Sequence, residues 1–534
     1  MQKKNTNKTL CILTFIVGQI FTHHIHAQNN TSIFDEGMDA IKDELLPAYS
    51  KSLEKYPYHN TNNLLLNLPE PSRNLIQKLR KDFSLDFDIN RRIESEIKFI
   101  KKNNNYMKQV LIRSRPFLSY IVSELKKRKM PLELALLPIV ESAFDPFAYS
   151  YGQAAGLWQL IPVTATRFGI EQNWWFDGRR DVINSTKAAL DYLTYLHKFM
   201  KEDWLLAIAA YNSGEGNIDK AIKQNKKKLK PTTFWDLEVS KQTSAYVPRL
   251  LALVTIVKDP KKYNIELPFV SNEIQFQIVD ISSQIDLSIA AELAEIELNE
   301  LYTLNAGYNR WATSPSGPHR LLIPMHKTKI FKNALASLPE DQKVKWKRHQ
   351  VSYGETLSEI ALKYNTTALQ IKLSNDLSSN VIRSDSYLMI PVSNKSLQSY
   401  KKSKDQRKIS KQNQIRTGER IEHIINRGES LWLIGRRYKV DIKSLAAWNN
   451  MSPKDTLSIG EKLIIWSDQP SIKTKPVTRK LNYSVKNGDS LYLIAKKFRV
   501  TIVDLARWNN LDQKNILKPG QNLILHIDVR NQSS

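Results

Sequence analysis

A motif that recurs three times in the C-terminal third constrains this chain more than any other feature. Val351-Ser-Tyr-Gly-Glu-Thr-Leu, Ile425-Asn-Arg-Gly-Glu-Ser-Leu and Val485-Lys-Asn-Gly-Asp-Ser-Leu each set a glycine (Gly354, Gly428, Gly488) 21 residues before an asparagine (Asn375, Asn449, Asn509). Each copy closes on a second apolar run, so one unit takes about 45 residues. Leu431, Ile434 and Tyr438 fall at i, i+3 and i+7 on one helical face, and Leu491, Ile494 and Phe498 repeat that spacing. Ser430 or Glu429, and Asp489 or Ser490, are placed to cap that helix. Ile459-Gly460 and Pro519-Gly520 introduce the apolar runs 463–465 and 523–525 as turn residues introduce strands. The pattern predicts strand, helix, helix, strand in each unit, and so an array of small domains in this part of the chain.

These units, at 348–392, 422–466 and 482–527, resemble LysM modules. The resemblance implies an α+β (βααβ) fold and binding of N-acetylglucosamine-containing glycans such as peptidoglycan or chitin. Gly354, Asn375, Gly428, Asn449, Gly488 and Asn509 then mark the candidate glycan-binding units. A repeat with no ligand is the alternative, and three copies on one chain weigh against it. A fainter copy spans 274–326, where Asn305 follows Leu287 by 18 residues as Asn375 follows Leu357, and Gln284 stands in the glycine's place. It is expected to pack on the preceding domain and not to bind glycan. Segments 393–421 and 467–480 join the units. The first carries Lys401, Lys402, Lys404, Arg407, Lys408 and Lys411 with few apolar residues, and is expected to be a flexible basic linker.

With 534 residues the chain holds several domains. Residues 1–27 read as a cleaved secretory signal: Lys3, Lys4 and Lys8 precede the apolar run 10–21, which is shorter than the roughly 20 residues a spanning helix needs. Cleavage after Ala27 removes the single cysteine, Cys11, and lowers the net charge from +26 to +23. Cys11 begins the apolar run instead of following it, so a lipoprotein anchor is not expected. A disulfide framework and a thiolate zinc site are excluded. Export makes nucleic acid an unsuitable partner for the basic charge and leaves the anionic polymers of the periplasm or cell envelope, with peripheral or outer-membrane association open. The ten histidines include His23, His24 and His26 of the signal, and none of the others forms an i, i+4 pair, so no metal and no cofactor is expected. Oligomeric state is not legible.

The segment 28–125 has helical periodicity without visible chemistry and is expected to be an extension packed on the domain that follows, 126–265. There Pro131 opens a nearly continuous apolar run that ends in Glu141-Ser142. A carboxyl at the C-terminal end of a buried helix is destabilised when ionised, by desolvation and by the helix dipole. It would stay protonated near neutral pH, as a general acid for glycosidic cleavage requires. A buried glutamate satisfied by a local hydrogen bond is the plainer reading of that residue alone. Gly156-Leu-Trp-Gln sets Trp158 and Gln159 at a turn, where an indole could stack on a sugar ring and an amide could address its substituents. Trp204-Leu-Leu-Ala-Ile-Ala-Ala ends in Tyr211-Asn212 ahead of Gly214, a helix stop.

The order Glu-Ser, Gly-Leu-Trp-Gln, Ala-Tyr-Asn resembles the soluble lytic transglycosylase domain, a mainly α, lysozyme-like fold related to goose-type lysozymes. With Tyr246-Val-Pro-Arg, Asn309-Arg-Trp-Ala-Thr and the LysM-like units, the whole resembles the membrane-bound lytic murein transglycosylase D family. That resemblance implies non-hydrolytic cleavage between N-acetylmuramic acid and N-acetylglucosamine of peptidoglycan strands, giving 1,6-anhydromuramoyl ends. It makes Glu141 the catalytic acid/base and Ser142, Gln159, Tyr211 and Asn212 cleft residues; stacking by Trp158 is read from its chemistry. Ordinary glycosidases use two carboxylates, and Asp145, Asp177, Asp181 and Glu215 form no recognisable pair with Glu141. A hydrolytic muramidase and a catalytically silent wall-binding scaffold are the alternatives.

Overall fold

The computed structural model describes residues 73–467, 478–498, 500, 502–512 and 517–528; the signal at 1–27, the start of the helical extension and most of the 467–480 joint lie outside them. The described residues fall into two compact units. The first takes those up to 415 together with Ile424–Ile464, and the second takes Arg416–His423 and those from 465 onward. The second repeat is therefore divided, its two helices belonging to the first unit. No helix among the described residues is long and apolar enough to cross a membrane.

The extension is helical, as its periodicity predicts. In the helix Arg91–Lys102, capped by Asn90 through the amides of Arg92 and Ile93, Ile93, Ile97 and Ile100 line one buried face. These side chains join Val110, Leu118 and Ile121 in one continuous core with Leu136, Leu157, Leu193, Ile208 and Leu250. The extension and the domain after it thus share a single core. That domain is built from the helices Val182–Phe199, Trp204–Ser213, Glu215–Lys227 and Lys241–Lys258 around a short central segment. The segment expected as one buried helix is two pieces, a 3-10 turn Leu132–Leu136 and a six-residue α-helix Leu137–Ser142. Pro138 explains the break, because it has no N–H for a continuing ladder and fits only a first turn.

Four two-stranded sheets follow, pairing β1 (Phe276–Asp280) with β2 (Arg320–Pro324), β3 (Lys345–Gln350) with β4 (Tyr387–Val392), β5 (Glu419–Ile424) with β6 (Lys462–Ser467) and β7 (Thr478–Ser484) with β8 (Asn522–Asp528). Each encloses two short helices, so all four units are βααβ and the fourth, faint repeat is structurally one of them. Thr356, Ser430 and Ser490 stand one residue before the first helix in the three clear repeats. Their hydroxyls accept the amides of Glu359, Leu433 and Leu493.

The asparagines fix the unit. Asn375 Nδ2 donates to Ile371 O at 2.7 Å and Met389 O at 2.9 Å, while its Oδ1 accepts the Met389 amide at 2.7 Å. Asn449 does the same with Leu445 O and both backbone groups of Ile464, and Asn509 with Leu505 O and Ile524. Asn305 repeats it in the faint unit with Leu301 O and Leu322. One amide ties the end of the second helix to the last strand four times over. Backbone groups take both ends of each amide, so Asn375, Asn449 and Asn509 hold the frame of the units they mark. Gly354, Gly428 and Gly488 have φ of +77°, +83° and +86°, and a Cβ there would meet nothing within 4 Å. They are turn positions chosen for conformation.

The faint unit packs on the helical domain through the aromatic loop that precedes the Val182–Phe199 helix. Trp175 and Phe176 are buried with Tyr308 and Trp311 in a second core. Arg320 of β2 reaches Asp181 at 2.7 Å. The basic segment 393–421 is ordered and not a flexible linker. Tyr400 is buried and donates to Asp286, whose carboxyl also accepts the Asn394 amide at 2.8 Å, and Lys404–Gln412 is a helix. Composition hid this because two side chains, Tyr400 and Arg407, anchor the segment.

Candidate active site

Glu141 is the penultimate residue of the Leu137–Ser142 helix. The chain then turns sharply through Ala143 and Phe144 at φ of 51° and 57°. Arg113 Nε holds the turn by donating to Ala143 O at 3.0 Å. Ser142 Oγ donates to Leu157 O at 2.9 Å and Pro138 O at 3.2 Å, tying the helix end to the Gly156–Gln159 turn. Gly156 is obligatory there: at φ +77°, a Cβ would sit 2.1 Å from Arg179 O.

The Glu141 carboxyl accepts a hydrogen bond from the phenol of Tyr246. Burial pushes Glu141 up from 4.5 to about 7, against the Tyr246 bond, which favours the ionised form. The helix is six residues long, so enclosure by the protein, and not a long helix dipole, accounts for the rise. Tyr211, at the end of the Trp204–Ser213 helix, lies close enough to Glu141 to feel its charge, and burial keeps the phenols of Tyr211 and Tyr246 protonated. Its hydroxyl donates to Trp158 O at 2.8 Å. Asn212 Oδ1 accepts from Thr243 Oγ1 at 3.1 Å. Thr243 and Tyr246 belong to the Lys241–Lys258 helix, so three helices and one turn converge on a single carboxyl.

The structure brings Glu141, Ser142, Tyr211 and Asn212 together and alters two expectations. Trp158 is 0% exposed, and its Nε1 donates to Thr186 Oγ1 at 3.0 Å. It is a core residue and offers no face to a sugar, because the turn aims its side chain inward and presents its carbonyl to Tyr211. Ser142 is spent on backbone carbonyls, which makes it a brace for the turn. Gln159, at φ +47°, donates from Nε2 to Gly156 O at 2.8 Å, and its buried Oε1 has no protein partner. Tyr246 was missed as a site residue. Its one local mark is a buried phenol two residues before Pro248, a proline inside the Lys241–Lys258 helix.

The other acids are committed elsewhere. Asp177 pairs with Arg179 at 2.8 Å and Arg180 at 3.2 Å, Glu215 with Arg167 at 3.0 Å, and Asp181 caps the next helix through the Asn184 amide. Asp145 Oδ1 accepts the Phe147 amide at 2.9 Å. Among the described residues no second carboxyl contributes to the ionisation of Glu141.

A helical domain with one protonatable carboxyl beside two tyrosines, followed by βααβ modules, has the make-up of a glycan-cleaving enzyme with LysM units. Three family descriptions match: Transglycosylase SLT domain at 119–234; Lytic transglycosylase MltD, LysM-like domain at 275–340; and LysM domain at 349–391, 423–466 and 483–525. Proteins named membrane-bound lytic murein transglycosylase D from Escherichia coli strains K12 and O6:H1 are each 34% identical over 442 residues, 83% of this chain and 83% of their own. The cell wall-binding protein YocH of Bacillus subtilis strain 168 is 36% identical over 95 residues, 18% of this chain and 30% of its own. The chain belongs to the membrane-bound lytic murein transglycosylase D family. It is a lytic transglycosylase whose catalytic domain is followed by LysM units.

Proposed function

We propose that Glu141 is the sole acid/base of a peptidoglycan lytic transglycosylase that cuts the β-1,4 bond between N-acetylmuramic acid and N-acetylglucosamine. The observation that carries this is a lone, half-buried carboxyl, raised to about 7 and held by Tyr246, with the neighbouring acids engaged in ion pairs and turns. Protonated Glu141 donates to the leaving glycosidic oxygen as the C1–O4 bond breaks. The muramic 2-acetamido oxygen covers the electron-poor C1. The carboxylate, stabilised by the Tyr246 hydroxyl, then takes the C6 hydroxyl proton while O6 bonds to C1 and displaces the acetamido oxygen. The proton returns to Glu141, no water is consumed, and a 1,6-anhydromuramoyl end results. One carboxyl serves both steps because donor and acceptor act on the same face in turn.

In this reading Tyr211 and Asn212 line the cleft, and the free Oε1 of Gln159 accepts from a sugar amide or hydroxyl. Residues 126–265 form the catalytic domain, and the LysM modules hold it on glycan strands. The leader at 1–27 and the basic net charge support export to the periplasm or envelope with peripheral attachment. Mass analysis of muropeptides from sacculi treated with wild-type and Glu141→Gln protein tests the reading. Products lighter by one water from wild type, and none from the variant, are expected. Reducing-end muramic acid would make it a hydrolytic muramidase; unchanged digestion by Glu141→Gln would remove Glu141 from the chemistry.

A further inference from the structure

The loop that joins Glu141 to the Gly156 turn makes contacts that the reaction above does not use. After Phe144 it forms isolated bridges, Tyr149 with Ala155 and Ala155 with Leu160, and the Gly156 amide donates back to Ala148 O at 3.0 Å. Its tip is held by the second LysM module. Asp455 Oδ1, in the loop after that module's helix Ile442–Trp448, accepts from Tyr149 Oη at 2.7 Å and Gln153 Nε2 at 2.8 Å. Its other oxygen accepts the Ser452 amide at 2.9 Å, and Ser452 Oγ donates to Tyr151 O at 2.6 Å. Lys443 Nζ lies 5.1 Å from the centre of the Tyr151 ring. All of these residues belong to the first compact unit.

The contact distinguishes this module from the first. Asn449 and Ser452 are both 0% exposed, whereas Asn375 is half-buried and Ser378, three residues on, is exposed. The helix Lys404–Gln412 braces the same region: Gln412 Nε2 donates to Asn449 Oδ1 at 2.8 Å, and the Arg407 guanidinium lies 4.7 Å from the Phe147 ring.

We infer that Asp455 and Ser452 are positioning residues for the catalytic cleft, so that the second module is a working part of the catalytic unit as well as a wall-binding repeat. The 452–455 loop sets the 149–153 loop and, through Ala155 and Gly156, the turn that carries Gln159. Hydrogen bonds to a carboxylate are about twice as strong as neutral ones, so one side chain can select one loop conformation. Small displacements of groups that align a substrate carry large rate penalties. This inference rests on the assignment of Glu141 as acid/base, and it predicts that the module contributes to turnover of strands too short to reach it.

The test uses the full chain, with Asp455→Ala, Tyr149→Phe and the double variant assayed on short, peptide-free glycan strands, co-sedimentation with sacculi in parallel, and Glu141→Gln as reference. Asp455→Ala is expected to lower kcat about tenfold, the equivalent of one disrupted alignment, with KM and sacculus binding unchanged. Tyr149→Phe cuts the same link from the other side with little risk to the fold, so it lowers kcat too, and the double variant is no worse than Asp455→Ala. Wild-type kcat in both single variants, additive effects, or a loss that follows sacculus binding overturns the inference. Cleavage by Glu141→Gln overturns the acid assignment instead, and a dead Glu141→Gln beside wild-type kinetics in the loop variants overturns the inference alone.

Discussion

Tyr246→Phe isolates the balance that sets the acidity of Glu141. Burial lifts the carboxyl from 4.5 to about 7 while the Tyr246 hydroxyl pulls it down. A hydrogen bond to a charged group contributes roughly 1.5–3 kcal/mol, and one pH unit corresponds to about 1.4 kcal/mol. Removing the hydroxyl leaves the ionised form without its donor, so Glu141 should rise by roughly one to two units. The acid form is the one that starts the reaction and is populated below its pKa. The alkaline limb of kcat/KM therefore moves upward from about 7, and the plateau falls because a weaker acid gives up its proton less readily. The assay is release of anhydro-ended muropeptides from sacculi across neutral and alkaline pH. A limb that stays in place or moves toward acid would refute the reasoning, since it would mean that the Tyr246 bond does not favour the carboxylate.

Glu141→Gln should stabilise the fold at alkaline pH. The native carboxyl keeps its proton up to about 7 and the unfolded one only to about 4.5, so native stability falls as pH rises through that interval, by about 3 kcal/mol in all. The gap in Tm between variant and wild type should open across it, and an equal gap at acid and alkaline pH would count against a buried neutral acid. Trp158→Phe should lower stability by about 1–3 kcal/mol, through a lost core contact and an unpaired Thr186, with KM unchanged; a raised KM at unchanged Tm would restore the stacking role. Asn375→Ala should destabilise the first module by about 2–3 kcal/mol and accelerate hydrogen exchange at the Met389 amide; slow exchange there would show that the amide is dispensable.

Much of this architecture was legible because period and motif order are properties of sequence. The 21-residue spacing announced three modules, and Asn305 announced the fourth where the glycine was gone. Glu141 stood out as a polar group at the end of an apolar run. What was not legible depended on where side chains point and what lies far away in sequence. Indole chemistry suggests a sugar platform, but nothing in Gly-Leu-Trp-Gln says that Trp158 turns inward. Tyr246 lies 105 residues from Glu141. The partner of Tyr400 is Asp286, so a basic segment that looks featureless by composition is fastened by one phenol to a carboxyl more than a hundred residues away.

The asparagine staple has a consequence for how such modules can change. It closes each βααβ unit through that unit's own backbone groups, with Gln412 adding a bond to Asn449 in the second, so the frame does not depend on the glycine turn. A copy can therefore surrender its outer face and remain folded, as the unit around Asn305 does with Gln284 in place of glycine. Frame and face are separable inheritances: one repeat has become a joint, another holds a catalytic loop, and the same small fold serves both because its integrity was never invested in what it touches.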